Sequence, residues 1–317
     1  MDKLNKSFYD VGISIINYNS SNLTIQCIKT IIEKTSPNLN YHIVLVDNNS
    51  ISEECLKLKT LLGFAQVTVI ESKLNLGFSG GHMLGVQNVD AKYFFFLNND
   101  SMFLNDCLKT LFDFCENTEN VGLCGPQMYD ESHGIQSCFD YLPTFNRQLF
   151  GVDLLRIFKP ENYPKRNIQY SNPLKVGLVA GSAMFVNAEV FNNVGGLDTN
   201  YFLYCEEEDL AMRIKNLNKD IYLVPAAKNI HFTGKSTIRN FEIEREFYLS
   251  YMYMFRKFFS GWQYLIIKYF IFFKLIKRGL FQNSDFLKIA FFVRKGAPMS
   301  KSLRFKQTLK SQKLFNL

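Results

Sequence analysis

The sequence predicts an α/β fold, a mostly parallel central sheet flanked by helices, and three observations carry that prediction. Short apolar, β-branched or aromatic runs recur at residues 11–17, 41–46, 67–71 and 93–97. The stretches between them carry apolar residues at helical spacing. The runs themselves do not alternate with polar residues, as strands covered on both faces should not.

Each element follows from its residues. The first run (VGISIIN) ends in polar residues, and Ser20 or Ser21 can cap the next helix, with Leu23, Cys27, Ile28, Ile31 and Ile32 on one face. Pro37 lies beyond its end. The second strand stops at Asp47-Asn48-Asn49-Ser50. A helix over 53–62, a strand over 67–71 and a helix over 79–89 continue the alternation. The fourth strand, 93–97, is nearly all aromatic and stops at Asn98-Asn99-Asp100-Ser101. From 121 to about 172 the pattern blurs, with turn signals at Gly122 and Gly125-Pro126. An apolar run over 176–186, a short helix and Gly195-Gly196-Leu197-Asp198 follow. A helix over 209–216 and a strand over 220–224 close the series, with Pro225 ending the strand.

The 317 residues are 47% hydrophobic, enough to bury a full core and to exclude a disordered chain. Charge is divided unevenly within the net +7. Residues 247–317 hold fourteen lysines and arginines against one acid, Asp285, a local charge of +13 that leaves −6 for the remainder. The expected division is therefore a body over 1–240 and a helical, basic C-terminal region over 241–317. Seven scattered cysteines form no CxxC pair, which argues for buried thiols in a reducing compartment rather than disulfides or a cysteine-built metal site. No signal-peptide pattern appears in the first ten residues, and no window reaches the roughly 20 apolar residues of a membrane span. The expected location is the cytoplasm.

In sheets of this kind, ligands bind beyond the carboxyl ends of the strands. That rule selects Tyr18, Asp47 and Asp100. Each alone is an ordinary turn residue; three at one edge describe a site. Asp100 suits a hard divalent cation, which takes one or two carboxylates plus phosphate oxygens. Asp47 suits a base N–H or a ribose hydroxyl. The glycines of 75–81 (NLGFSGG) open a helix and can let backbone N–H groups approach an anion. Glu206-Glu207-Glu208-Asp209 follows an apolar Tyr201-Phe202-Leu203-Tyr204, which sets four acids at the rim of something buried. Repulsion and desolvation there raise a carboxyl's proton affinity and suit a general base. His231, one of four histidines, is followed by Gly234, Lys235 and Ser236, a setting for a metal or phosphate contact.

Together these segments resemble glycosyltransferase family 2, inverting enzymes with a nucleotide-sugar-binding GT-A fold, and within it the bacterial rhamnosyltransferase-like branch. Five segments occur in the family's order: IINYN (15–19), LVDNNS (45–50), NLGFSGGHMLG (75–85), FLNND (96–100) and FLYCEEEDLAMR (202–213). The resemblance implies that Tyr18 and Asp47 hold the nucleobase, with Lys73, Asn75 and Gly77 nearby. Asp100 binds the metal, Mn²⁺ or Mg²⁺, that bridges the diphosphate. Asn98 stands where some relatives have a further Asp, and His231 is a second metal or phosphate ligand. The catalytic carboxylates fall in the acidic run. Asp209-Leu210 sets the register, so Glu207 occupies the position of the base, with Glu206 and Glu208 as alternatives. Residues 179–184 (VAGSAM) resemble the loop on the acceptor side.

The same resemblance implies a nucleotide-sugar donor, deoxythymidine diphosphate–rhamnose or a uridine diphosphate–hexose. It also implies an acceptor that is a glycan or is carried on a polyprenyl lipid, in O-antigen, capsule or similar synthesis. Residues 262–273 (WQYLIIKYFIFF), flanked by Lys274, Lys277 and Arg278, read either as a helix lying on the inner face of the membrane or as one packed on the body. No nucleic-acid motif accompanies the basic charge. Two other readings compete. A nucleotidyltransferase needs a basic, glycine-rich triphosphate loop, which Asn17-Tyr18-Asn19 does not supply. A non-catalytic sugar-binding scaffold is kept open by Asn98 and Glu207.

Overall fold

A computed structural model describes residues 7–232 and 240–309. The first half is the expected alternation: β1 (Phe8–Asn17), α1 (Ser21–Lys34), β2 (Tyr41–Asp47), α2 (Ser52–Lys57), β3 (Val67–Glu71), α3 (Gly77–Val86) and β4 (Asp90–Asn98). These four strands run parallel in the order β3-β2-β1-β4. Ile13, Ile15, Val44, Leu45, Phe95 and Phe96 are fully buried because apolar layers cover both faces of the sheet.

The second half is mixed. It comprises β5 (Ser101–Phe103), α4 (Cys107–Asn117), β6 (Val121–Tyr129), β7 (Phe139–Asp140), α5 (Phe145–Phe158), β8 (Leu174–Lys175), β9 (Leu178–Val179), β10 (Ala183–Asn187), α6 (Ala188–Asn193), α7 (Glu206–Asn216) and β11 (Asp220–His231). The sheet continues from β4 through β10, β6 and β11 to β5, with β8 also on β11. β10 is antiparallel to both β4 and β6, while β6 and β11 are parallel.

Three glycine and proline signals mislead here, the first being Gly122, which lies inside β6. Gly125-Pro126 lies inside β6 rather than in a turn. A side chain at Gly125 would come within 2.9 Å of the Ala183 carbonyl, so the glycine permits β10 to approach. Pro225 does not end its strand. β11 continues to His231 through a register shift between Val224 and Lys228, a bulge that accommodates the missing N–H. That continuation pairs His231 with Ser101 on β5.

Three further helices follow: α8 (Phe241–Phe258), α9 (Gly261–Phe281) and α10 (Asp285–Arg294). They share an apolar cluster of Met252, Phe255, Ile267, Ile271, Leu275 and Val293 with Tyr201 and Cys205 of the body. α9 buries Ile267, Ile271, Leu275 and Gly279, four positions at one-turn spacing. Its other side exposes Trp262, Leu265, Ile266, Tyr269, Phe270 and Phe273. The buried side fits the reading in which this helix packs on the body. No helix among the described residues is long and apolar enough to cross a membrane. All seven cysteines are free, six of them buried.

Candidate active site

The ends of β1, β2 and β4 are braced into one polar edge. Asn17, directly opposite Asp47 in register, donates from Nδ2 to Asp47 Oδ1 at 2.9 Å and to Ser50 Oγ at 3.0 Å. Ser50 N donates to the other Asp47 oxygen at 3.1 Å. Asn17 Oδ1 accepts from Thr24 Oγ1, and Asn99 Nδ2 donates to that same hydroxyl, each at 2.7 Å. Asn17 is fully buried and organises the edge, and the sequence reading passed over it for its neighbour Tyr18. Its signal was a lone amide closing an apolar strand. Tyr18 stands 45% exposed beside this network, its ring open to a ligand.

The loop before α3 is shaped by its own amides. Asn75 Oδ1 accepts from Asn48 Nδ2 at 3.0 Å and from the Gly77 N–H at 2.9 Å, while Lys73 stays exposed. Gly77 takes φ +71°, and a Cβ there would stand 2.1 Å from the Phe202 carbonyl oxygen. The same oxygen accepts from Phe78 N at 2.8 Å. Gly77 therefore clamps the loop before α3 onto the segment leading into α7. Gly77→Ala is expected to cost more than the roughly 1–2 kcal/mol of a left-handed alanine alone, because the Phe202 backbone must also move. Denaturant unfolding checks this; an unchanged midpoint contradicts the clamp.

Asp100 and His231, 131 positions apart, meet because β11 extends past Pro225. His231 Nε2 lies 3.2 Å from Asp100 Oδ1 and 3.4 Å from Asn98 Nδ2. Asp100 is 2% exposed. An imidazole nitrogen and a carboxylate oxygen are both donors that Mn²⁺ or Mg²⁺ would accept. Among the described residues no group of three or more His, Cys, Asp or Glu gathers for a metal, so an ion here needs oxygens from its ligand. Gly234, Lys235 and Ser236, which the sequence set beside His231, lie outside the described residues.

The acidic run forms the first turn of α7, which starts at Glu206 and not at Asp209. Negative charge is favoured there by the exposed N–H groups and the helix dipole. Tyr204 and Cys205 just before it both adopt left-handed backbone, at φ 73° and 69°. Such strain persists only where packing imposes it. Here Cys205 is buried among α8–α10, Tyr204 meets the Phe247 ring edge-on, and Ser250 Oγ donates to the Leu203 carbonyl at 2.7 Å.

The four acids differ in surroundings. The half-buried Glu207 carboxyl lies against Gly181 of the 179–184 loop, where an added Cβ would meet it at 3.2 Å. Burial raises its proton affinity, partly offset by hydrogen bonds from its own N–H, from Glu208 and from the Gly181 N–H. Burial first, and the charge of Glu207 second, pushes Glu206 and Glu208 well above the usual carboxylate range. Asp209 is wholly buried and anchored. Its oxygens meet Lys257 Nζ and Arg213, each at 2.5 Å, and the Tyr201 hydroxyl at 3.1 Å. Lys257 also reaches Asp198 at 2.7 Å. The basic C-terminal region, through Lys257 on α8, thus pins the acidic turn, a link that sequence spacing does not reveal. Lys257→Ala leaves Asp209 with one cationic partner, so a loss of about 3 kcal/mol is expected, at the lower end for a broken buried pair. A thermal or denaturant melt unchanged within error contradicts it.

One connection joins the two chemical halves. Gly181, which touches Glu207, adjoins Ser182, whose carbonyl accepts from Asn98 N at 2.9 Å, two residues before Asp100.

Comparison with known proteins agrees with this geometry. The family model described as "Glycosyl transferase family 2" matches residues 13–195, more than half the chain. Rhamnosyltransferase WbbL of Escherichia coli (strain K12) is 28% identical over 222 residues, covering 63% of this chain and 78% of that protein. The N-acetylglucosaminyl-diphospho-decaprenol L-rhamnosyltransferase of Mycobacterium tuberculosis (strain CDC 1551 / Oshkosh) is 28% identical over 138 residues, 42% of this chain and 44% of that protein. In fold, the chain is similar to the crystal structure of GalNAc-T7 with UDP, GalNAc and Mn²⁺, at a TM-score of 0.62 and 13% identity. That superposition covers 95% of this chain and 57% of the other. The sheet with its polar carboxyl edge is a GT-A fold, and the chain belongs to glycosyl transferase family 2.

Proposed function

We propose that this inverting glycosyltransferase moves rhamnose or a hexose from a nucleoside diphosphate to a hydroxyl of a glycan or lipid-linked acceptor, with Glu207 as the base. The observation that carries the reading is the Glu207–Gly181–Ser182–Asn98 connection. It sets a carboxyl of raised proton affinity beside the residues able to face a diphosphate. Glu207 takes the acceptor hydroxyl's proton as that oxygen attacks the anomeric carbon opposite the leaving group, a single displacement that inverts the centre. Glu207 and its neighbours lie beyond the stretch that the family model matches, so this assignment rests on the register set by Asp209-Leu210 and on the contact with Gly181.

Asp100 and His231 are the pair to hold Mn²⁺ or Mg²⁺, with diphosphate oxygens completing the shell. Bound there, the cation neutralises charge accumulating on the departing diphosphate. Tyr18 offers its exposed ring to the base, and the braced Asp47 and Asn17 fix the edge against which the nucleoside lies. The mycobacterial relative's name specifies a lipid-linked diphosphate acceptor, which supports the same acceptor class here. The exposed aromatic face of α9, with Lys268, Lys274 and Lys277 on the same helix, supports docking of the protein on the anionic inner face of the cell membrane.

Two experiments test these readings. The anomeric configuration of the transferred sugar, read by NMR, is expected to be opposite to that of the donor; retention rules out the single displacement. Sedimentation with anionic vesicles is expected to fall severalfold on Phe273→Glu. Equal sedimentation of wild type and variant removes the membrane role of α9.

A further inference from the structure

A recess of about 440 Å³ borders the acidic turn at Glu208, lined by residues from the β7–α5 region, α7, α8 and α9. None of the strand ends that form the nucleotide edge contributes to it. A recess of similar volume between Thr35 and Gln66, near the N-terminal ends of β2 and β3, has no charged lining, so volume alone does not mark a site. The first recess is set apart by charge and by where it opens.

Arg147, Lys274 and Arg278 supply three cations to its wall, against Asp140 and Glu208. Asp140 is already neutralised, held by Arg147 at 2.8 Å and by Arg166 at 3.0 Å. The Glu208 carboxyl shares a hydrogen bond with Glu207, and burial favours its protonated form. Arg278 meets the Tyr248 hydroxyl at 3.3 Å, the Gln282 amide at 3.4 Å and the Phe286 ring at 3.8 Å, none of them an anion. Lys274 is exposed and has no carboxylate partner among the described residues. The recess therefore holds a surplus of positive charge, and a group with two or more negative charges suits it.

Apart from Gln148, the remaining wall is aromatic or aliphatic, with Tyr251, Phe270 and Ile271 among its members. Phe270 is 42% exposed and belongs to the α9 face that continues along Trp262, Ile266 and Phe273. An anion seated among the cations can thus trail an apolar chain over α9. Glu208 lines the recess, and its side chain shares a hydrogen bond with Glu207, which ties the recess to the proposed base.

We infer that this recess is the acceptor subsite, in which Lys274, Arg278 and Arg147 receive the diphosphate of a lipid-linked acceptor while α9 receives its hydrocarbon. The inference rests on the proposed acceptor class and locates it in the fold. A donor diphosphate is bound elsewhere, at the strand edge with Asp100, so the two anions occupy separate sites.

Binding of farnesyl diphosphate below its micellar concentration, without vesicles, tests it by Trp262 fluorescence or calorimetry. Lys274→Glu is expected to weaken that binding roughly tenfold to a hundredfold, the range of one charge-assisted contact. Lys295→Glu, on the outer end of α10 and outside the recess, should leave it unchanged. Uridine diphosphate or deoxythymidine diphosphate binding should be the same in both variants as in wild type. Farnesol is expected to bind far more weakly than farnesyl diphosphate, and inorganic diphosphate more weakly as well. Equal affinity of wild type and Lys274→Glu, or farnesol binding as tightly as the diphosphate, overturns the assignment. Inorganic diphosphate binding as tightly as the lipid form removes the lipid part of it. Because no sugar transfer is measured, failure of the proposed reaction leaves these outcomes readable.

Discussion

Glu207→Gln is expected to reduce sugar transfer by about 10²–10⁴-fold while nucleotide binding stays near wild type, the range typical of a lost general base. Glutamine keeps the length and most of the polar contacts of glutamate, so the contact with Gly181 survives and only the proton acceptor is lost. Nucleotide affinity by calorimetry and transfer rate on the same preparations separate the two effects. If transfer survives Glu207→Gln and falls in Glu206→Gln or Glu208→Gln, the base is one position away and the register argument fails. The pH profile adds a second reading. Burial raises the Glu207 carboxyl above its ordinary 4.5, and a base acts only when deprotonated, so kcat/KM should fall toward acid with a midpoint above 4.5. The sign for stability is opposite. The folded state holds these protons more tightly than the unfolded chain, so the stability that Glu206, Glu207 and Glu208 contribute is present below the ordinary value and is lost as pH rises through their raised values.

Asp100→Asn should reduce donor turnover by about 10²–10³-fold, the scale of losing one element of transition-state charge stabilisation, here the metal that Asp100 would hold. Activation by Mn²⁺ or Mg²⁺ should weaken in parallel. The substitution keeps the shape of a residue that is 2% exposed and packs against the end of β11, so folding is expected to survive. His231→Ala should shift the metal concentration needed for half-activity upward with a smaller effect at saturating metal, since Asp100 remains. Metal titration of turnover in both variants checks the pair. An Asp100→Asn enzyme with wild-type metal response contradicts the assignment of the site.

The fold was legible where burial writes a simple code. β1 to β4 lie under helices on both sides, so each reads as a continuous apolar run, and their polar ends pointed directly to Asp47 and Asp100. Legibility fails where contacts between distant segments decide. Pro225 reads as a strand end because a proline lacks its N–H; pairing with β6 across a bulge, and then with β5, carries β11 on to His231. Gly125-Pro126 reads as a turn because nothing local shows that β10 approaches there. Asn17 was hidden because buried amides and turn amides look alike in sequence. Lys257 reads as one lysine among many in a basic tail, and its partner Asp209 is 48 positions away on another helix. The α9 segment gave two readings because its two faces do different things: one packs, the other stays open.

Metal-dependent transfer from a nucleotide sugar, as proposed, requires both Asp100 and Glu207. The most direct test is nucleoside diphosphate release from a panel of nucleotide sugars, with Mn²⁺, Mg²⁺ or EDTA, for wild type and Asp100→Asn, in the presence of a lipid-linked diphosphate sugar acceptor. Release is expected from one donor, lost with EDTA and reduced by about 10²–10³-fold in Asp100→Asn. Release that is insensitive to EDTA and unchanged by Asp100→Asn contradicts it.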